Sequence, residues 1–233
     1  MTLSAISYHV ERFGVEQEPI LVIDNYTESI GRLLRRAHAA SYKATSAYYP
    51  GVQAPEDSNY LGMRGADLMH LMRTIFDVKG SIEIESCNYA LVCRPRDKLE
   101  SAQCLPHFDA NDPLLFASVH YIQAHESAGT AFYKHRKTGF ETITENRKDI
   151  YKEALQNDFA QYGPPPKNYF YGSDERYEKI GEISAKPDRL ILYRGCTLHS
   201  GCISEHVTLT PDKDKARITL NSFLWDRPNI PNE

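Results

Sequence analysis

In the segment Pro106-His107-Phe108-Asp109, a histidine and an aspartate stand two positions apart. On an extended chain, residues i and i+2 project to the same side, so an imidazole nitrogen and a carboxylate oxygen can reach one cation. Alone, the pair equally fits a surface histidine beside an aspartate that opens the turn Asp109-Ala110-Asn111-Asp112-Pro113. A third ligand has to come from far along the chain. His199 is the candidate, placed after the apolar run Arg189 to Tyr193 and before Ser200-Gly201, where it also fits a strand-end histidine near the surface. Two histidines and one carboxylate on one face are the ligand set of non-haem iron(II), with three positions left open. Arg217 begins the next strongly β-prone run, and Thr219 shares its face. A guanidinium is a permanently charged planar fork suited to two-point contact with a carboxylate, and a threonine hydroxyl can add a third bond.

The remaining reactive side chains carry less. His120 precedes Tyr121 and should face the other side of its strand. His125 with Glu126, His135 and His206 fall in polar stretches and read as solvated. The five cysteines, Cys87, Cys93, Cys104, Cys196 and Cys202, are odd in number and form no CxxC pair. Reduced thiols are the simpler reading than a disulfide framework or a zinc ribbon. Cys196 and Cys202 flank His199 without zinc-ligand spacing. No nucleophile elbow and no phosphate loop occurs.

Elements of two kinds must position these residues. Pro19 to Asp24 is an apolar run of strand type. Asn25 to Tyr42 reads as a helix, with Ile30, Leu33, Leu34, Ala37 and Ala40 on one face, Thr27 as N-cap and Glu28 in the first turn. Residues 46–59 read as a loop from their Pro, Gly and Asn content. A second helix fits Gly65 to Asp77. Strand patterns follow at Ile82 to Cys93, Leu114 to Gln123, Thr130 to Tyr133, Arg189 to Tyr193 and Arg217 to Trp225, interrupted by a helix at about Arg147 to Tyr162. The expected fold is α+β: one domain over 1–233, with helical support over about 1–79 and a β-sandwich or jelly-roll body over about 80–233. Tyr162 to Tyr177 concentrates aromatics around Pro164-Pro165-Pro166, either as a packed cover or as a lid over the barrel mouth. The loop Tyr48-Tyr49-Pro50-Gly51 is a second candidate rim.

The chain has 233 residues, 41% hydrophobic and 25% charged, with a net charge of −4. Such a balance suits a globular protein and gives no basic field for nucleic acid or an anionic membrane. The N-terminal residues lack the apolar core of a signal peptide, and no run of eighteen apolar residues appears. The expected location is the cytoplasm. The oligomeric state is not legible.

From about Ile82 to Trp225 the chain resembles the 2-oxoglutarate/iron(II) oxygenase superfamily, most closely its prolyl-4-hydroxylase-like branch. The matching elements occur in order: His107-Phe108-Asp109, Tyr121-Ile122-Gln123, Gly129-Thr130-Ala131-Phe132, Pro187-Asp188, Leu190 to Tyr193, His199 and Arg217. The strand, Asp24-Asn25-Tyr26 and helix of Ile20 to Ala40 resemble that branch's lead-in. Two features depart from the pattern: Ala128 stands where a first glycine is usual, and the stretch between His199 and Arg217 is long.

The resemblance implies a double-stranded β-helix (jelly roll) with N-terminal supporting helices. It implies Fe(2+) on His107, Asp109 and His199, and 2-oxoglutarate held by Arg217 with Thr219 and Tyr121, although Tyr121 fits a core aromatic equally well. The implied reaction converts 2-oxoglutarate to succinate and carbon dioxide while hydroxylating a C–H of a small molecule, amino acid or peptide side chain. Two other classes stand beside it. One is an inactive jelly-roll binding module; the other is a cupin-like metal dioxygenase that needs no 2-oxoglutarate. Arg217 separates the second from the oxygenase, since that class has no five-carbon dianion to anchor.

Overall fold

The computed structural model describes residues 5–27, 29–44, 49–57, 59–124 and 128–227. Ten strands form two antiparallel sheets. The larger takes β1 (Ser7–Arg12), β2 (Pro19–Asp24), β3 (Gly51–Pro55), β4 (Ser81–Val92), β5 (Leu115–Gln123), β8 (Arg189–Arg194) and β10 (Ile218–Arg227), in the order β1-β2-β8-β5-β10-β4-β3. The smaller takes β6 (Thr130–His135), β7 (Tyr177–Ile183) and β9 (His199–Gly201), in the order β7-β6-β9.

Side-chain alternation along the central strands explains why they read as unbroken apolar runs. Leu21 and Ile23 of β2, and Leu190 and Leu192 of β8, pack against helices α1 (Ile30–Ala39) and α3 (Gly65–Phe76) through Leu33, Ala37, Leu68, Leu71 and Met72. The intervening Ile20, Val22, Ile191 and Tyr193 pack with Phe132 and Ile183 of the smaller sheet. Both faces are buried, so no polar residue is needed at alternate positions. The short helix α2 (Asn59–Gly62) leads into α3. Helix α4 (Glu145–Tyr162) covers the far side of the smaller sheet, where Tyr151 meets Tyr133 and Tyr177.

Several elements depart from the expectations. Residues before 80 supply three strands as well as helices, and the stretch read as a loop contains β3, an edge strand that ends on Pro55 as edge strands tolerate. The first helix is shorter than Asn25 to Tyr42. Its N-cap is Ser29, while Thr27 bonds Asp188 instead (N to Oδ1 2.9 Å, Oγ1 to Oδ1 3.0 Å). Strands β1 and β7 carry polar residues throughout and escaped the pattern. Glu28, Tyr48, His125 and Glu126 lie outside the described residues.

Candidate metal and carboxylate site

The metal-ligand candidates are brought together by backbone pairing rather than by a regular strand at His107–Asp109. His107 forms an isolated antiparallel bridge with His199, through N–H to carbonyl bonds of 2.9 and 2.8 Å in the two directions. The bridge sets both rings on one side, with centroids 4.3 Å apart. Next along, the Asp109 amide donates to the Gly195 carbonyl at 2.7 Å. A Cβ at Gly195 would meet Leu115 at 3.1 Å and Asp109 at 3.4 Å, so a small residue there lets the Asp109 loop lie close. The ligand atoms of His107, Asp109 and His199 all fall within 4.8 Å of one another.

The electrostatics of this cluster suit a cation. The His199 Nδ1–H donates to the Thr197 carbonyl at 2.9 Å, which fixes the tautomer and leaves the Nε2 lone pair 3.6 Å from Asp109 Oδ2. Burial pushes His199 down to about 4, against the raising effect of that carbonyl. His107 presents about half its side chain to solvent (54%), yet the packed surroundings of its ring, with His199 beside it, lower it to about 4 as well. Both rings are therefore neutral ligands at pH 7. Burial raises Asp109 to about 6, against the pull of His107. Asp109 Oδ2 is buried without a hydrogen-bond partner. A buried carboxylate oxygen without a donor is costly, and a bound cation supplies the missing interaction. The donor set fits ferrous iron.

The candidate carboxylate anchor lies on the inner face of the larger sheet. Arg217, one residue ahead of β10, is only 8% exposed. Its Nε donates to the Ala128 carbonyl at 2.8 Å, and its guanidinium lies 5.6 Å from the Tyr121 ring centroid. Among the described residues no carboxylate pairs with it. Thr219 is buried on the same face, and its hydroxyl has no partner. The Tyr121 hydroxyl shares a 2.8 Å bond with Thr130, and burial raises it to about 12 while Arg217 pulls the other way.

Two more tyrosines lie here, one of which, Tyr193, the sequence did not assign. Tyr193 meets His199 edge to face with centroids 4.9 Å apart, and the charges of Asp109 and Arg217 both act on its hydroxyl. It thereby joins the metal-ligand cluster to the anchor. Its place two residues beyond Ile191, on the face of β8 that meets the smaller sheet, was the available signal. Tyr49, from the candidate rim, has a buried hydroxyl without a partner and also feels Arg217.

Other candidates fall elsewhere. His135 is not solvated: it is fully buried on β6, bonded to Asp158 at 2.8 Å and Thr138 at 2.9 Å. His120 does face away from the metal-ligand cluster and bonds Asp188 at 2.9 Å. His206 is exposed and the five cysteines are free. The aromatic segment is mixed. Tyr169 is buried and donates to the Arg94 carbonyl at 2.8 Å, Tyr177 opens β7, and Tyr162 and Tyr171 are exposed. Among the described residues, no helix is long and apolar enough to cross a membrane.

Solved structures with similar folds include the non-heme alpha ketoglutarate dependent carbocyclase SnoK from nogalamycin biosynthesis, at 9% identity and TM-score 0.49, covering 93% of this chain and 85% of that one. EctD from S. alaskensis, solved with 2-oxoglutarate and 5-hydroxyectoine, shows 13% identity and TM-score 0.48, covering 92% and 75%. An N-substituted L-amino acid dioxygenase from Burkholderia ambifaria shows 13% identity and TM-score 0.44, covering 95% and 94%. No curated protein matches the chain. Its sequence does match, over residues 4–224, the profile of a family of unknown function, DUF6445, and the chain belongs to that family.

Proposed function

We propose that the protein is an iron(II)- and 2-oxoglutarate-dependent oxygenase on a jelly-roll body, hydroxylating a C–H of a small molecule, amino acid or peptide side chain. One observation carries this reading. A two-histidine, one-carboxylate cluster and a buried guanidinium with no counter-charge among the described residues are joined along one wall by Tyr193. A buried unpaired arginine is costly to the fold unless an anion completes it.

His107, Asp109 and His199 would hold the metal, and Arg217 with the Thr219 hydroxyl would hold the distal carboxylate of 2-oxoglutarate. Bound iron and 2-oxoglutarate together supply the oxidising power to place one oxygen atom of O₂ on the substrate and the other in succinate, with loss of carbon dioxide. The chain's own part is positioning. The Thr197 carbonyl orients His199, Tyr193 packs against that ring, and the buried wall around Arg217 keeps water from competing for the carboxylate.

Among the described residues, the unpartnered Asp109 oxygen argues against a metal-free binding module, and the lack of a carboxylate on Arg217 argues against a dioxygenase that needs no dianion. The test is anaerobic iron(II) titration with and without 2-oxoglutarate, followed by the visible charge-transfer band of the chelate. The expected result is one equivalent of iron and a band that appears only with 2-oxoglutarate. Iron binding with no band at saturating 2-oxoglutarate would return the cupin-like reading.

A further inference from the structure

Strand β10 presents one continuous stripe to the interior beyond the carboxylate anchor. Leu220 and Leu224 enter the helix-side core, so Thr219, Asn221, Phe223 and Trp225 face the other way. Phe223 packs there against the core shared with the smaller sheet but stays partly exposed. Cross-strand pairing fixes what flanks each position. Thr219 lies between Ala90 and Tyr121, Asn221 between Asn88 and Val119, Phe223 between Ser86 and Ala117, and Trp225 between Glu83 and Leu115. Phe223 is level with Tyr193 across the small Ala117, and Tyr193 rests on His199. The stripe thus runs from the anchor, past the level of the metal-ligand cluster, to an aromatic rim.

Asn221 is the unexplained member. Its Oδ1 is buried and has no hydrogen-bond partner among the described residues, although its Asn88 and Val119 neighbours leave the wall partly open. A buried amide oxygen without a donor requires one. We propose that this stripe is the substrate wall, and that Asn221 accepts a hydrogen bond from an N–H of an amine or amide whose apolar body lies on Phe223 and Trp225. The inference rests on the oxygenase reading for what happens next, but not for binding. Carboxylate substrates are disfavoured at Asn221, because an acceptor oxygen meets them with like polarity; at the rim Glu83 is paired with Arg227 at 2.6 Å, whose guanidinium lies 4.8 Å from the Trp225 ring centroid.

Trp225 is the only tryptophan in the chain, so its fluorescence reports on this wall alone. The iron-loaded protein would be titrated with phenethylamine, 3-phenylpropionamide and 3-phenylpropionate, three probes of one shape and different polar ends. The first two should change Trp225 emission saturably, and the third should not. Asn221→Ala should weaken the first two by about tenfold, the effect of removing one buried acceptor. Asn221→Asp, which keeps an acceptor, should hold phenethylamine at least as tightly as the parent. The iron(II)–2-oxoglutarate band should saturate at the same concentration in all three proteins.

Phenylpropionate binding as tightly as the amide, the ligand a reversed Asn221 side chain would take, overturns the proposal. So does equal probe binding by Asn221→Ala, or no response to any probe. A loss of 2-oxoglutarate affinity in Asn221→Ala would make Asn221 a co-substrate residue instead and also overturns it. If probes bind as expected but the parent never forms the 2-oxoglutarate band, the oxygenase reading fails and the wall stands.

Discussion

Replacing Arg217 separates a residue kept for structure from one kept for a ligand. Its guanidinium is 8% exposed and has one fixed bond, to the Ala128 carbonyl, plus the face of Tyr121. The two other arginines near the site are already engaged. Arg189 is paired twice with Asp24, at 2.7 and 3.0 Å. Arg194 donates to the Pro113 and Phe76 carbonyls at 2.6 and 2.7 Å and meets Glu18 at 3.3 Å. Neither can swing to a ligand without breaking those bonds. Removing one partner from a buried charge pair costs roughly 3–5 kcal/mol. At about 1.4 kcal/mol per decade, Arg217→Ala should weaken 2-oxoglutarate by about two to three and a half decades. Arg217→Lys should fall between, because it keeps the charge and loses the fork. Iron affinity, read by anaerobic titration, should move less than about threefold. Stability should move the other way from binding. Arg217→Met removes a buried charge that has no carboxylate partner among the described residues, so the apo protein should melt at the same temperature or higher. If Arg217→Ala binds 2-oxoglutarate as the parent does, the anchor assignment is wrong. If Arg217→Met instead drops the melting temperature by several degrees, the arginine serves the fold.

His107→Ala or Asp109→Ala should each lower iron affinity by at least about a hundredfold while the circular dichroism spectrum holds; full iron occupancy in both would sink the ligand assignment. Asp188→Ala leaves the Thr27 amide, the Thr27 hydroxyl and His120 without their acceptor, at roughly 3–5 kcal/mol, and should lower the melting temperature by about 10 °C. Burial lowers His120 and His135 in the folded state, with Asp188 and Asp158 opposing it. Below about pH 6.5 the unfolded chain therefore binds more protons than the folded one, and stability falls as pH drops, by up to about 1.4 kcal/mol per unit for each ring. Denaturant midpoints at pH 7.5 and 5.5 measure this, and His135→Gln should flatten the difference.

The legible parts of the fold were those where burial on two faces leaves one chemical option. β2, β5 and β8 separate two cores, so nearly every residue had to be apolar, and their limits were readable to within a residue or so. β1, β3 and β7 were not readable, because an edge or half-covered strand tolerates polar residues at any position. β1 carries Ser7, His9, Glu11 and Arg12; β7 carries Glu178, Lys179 and Glu182. His135 failed for a related reason. Its charged sequence neighbours Lys134, Arg136 and Lys137 suggested solvent, while its true partner, Asp158, comes from α4. Local composition cannot show a contact made across 23 positions.

For the site, sequence could name ligands but not the reason they converge. His107 and Asp109 were chosen on strand geometry, yet the chain there is not a regular strand. The convergence comes from His107 pairing its backbone with His199, and from Asp109 bonding the Gly195 carbonyl. These are long-range bonds whose only sequence trace is a glycine where a Cβ would crowd Leu115 and Asp109. The same holds for Arg217. Its place at a strand start suggested an anchor, but the argument for a ligand is the absence of a carboxylate partner among the described residues, a property of packing. Tyr193 went unassigned because a tyrosine on a central strand is ordinarily core, and it is core: it meets Phe132 edge to face at 5.2 Å, as it meets His199 at 4.9 Å. Its second role follows only once Asp109 and Arg217 are close enough for their charges to act on its hydroxyl. A residue can pack a core and flank a candidate site together when the two adjoin, as Tyr193 does with Phe132 on one side and His199 on the other.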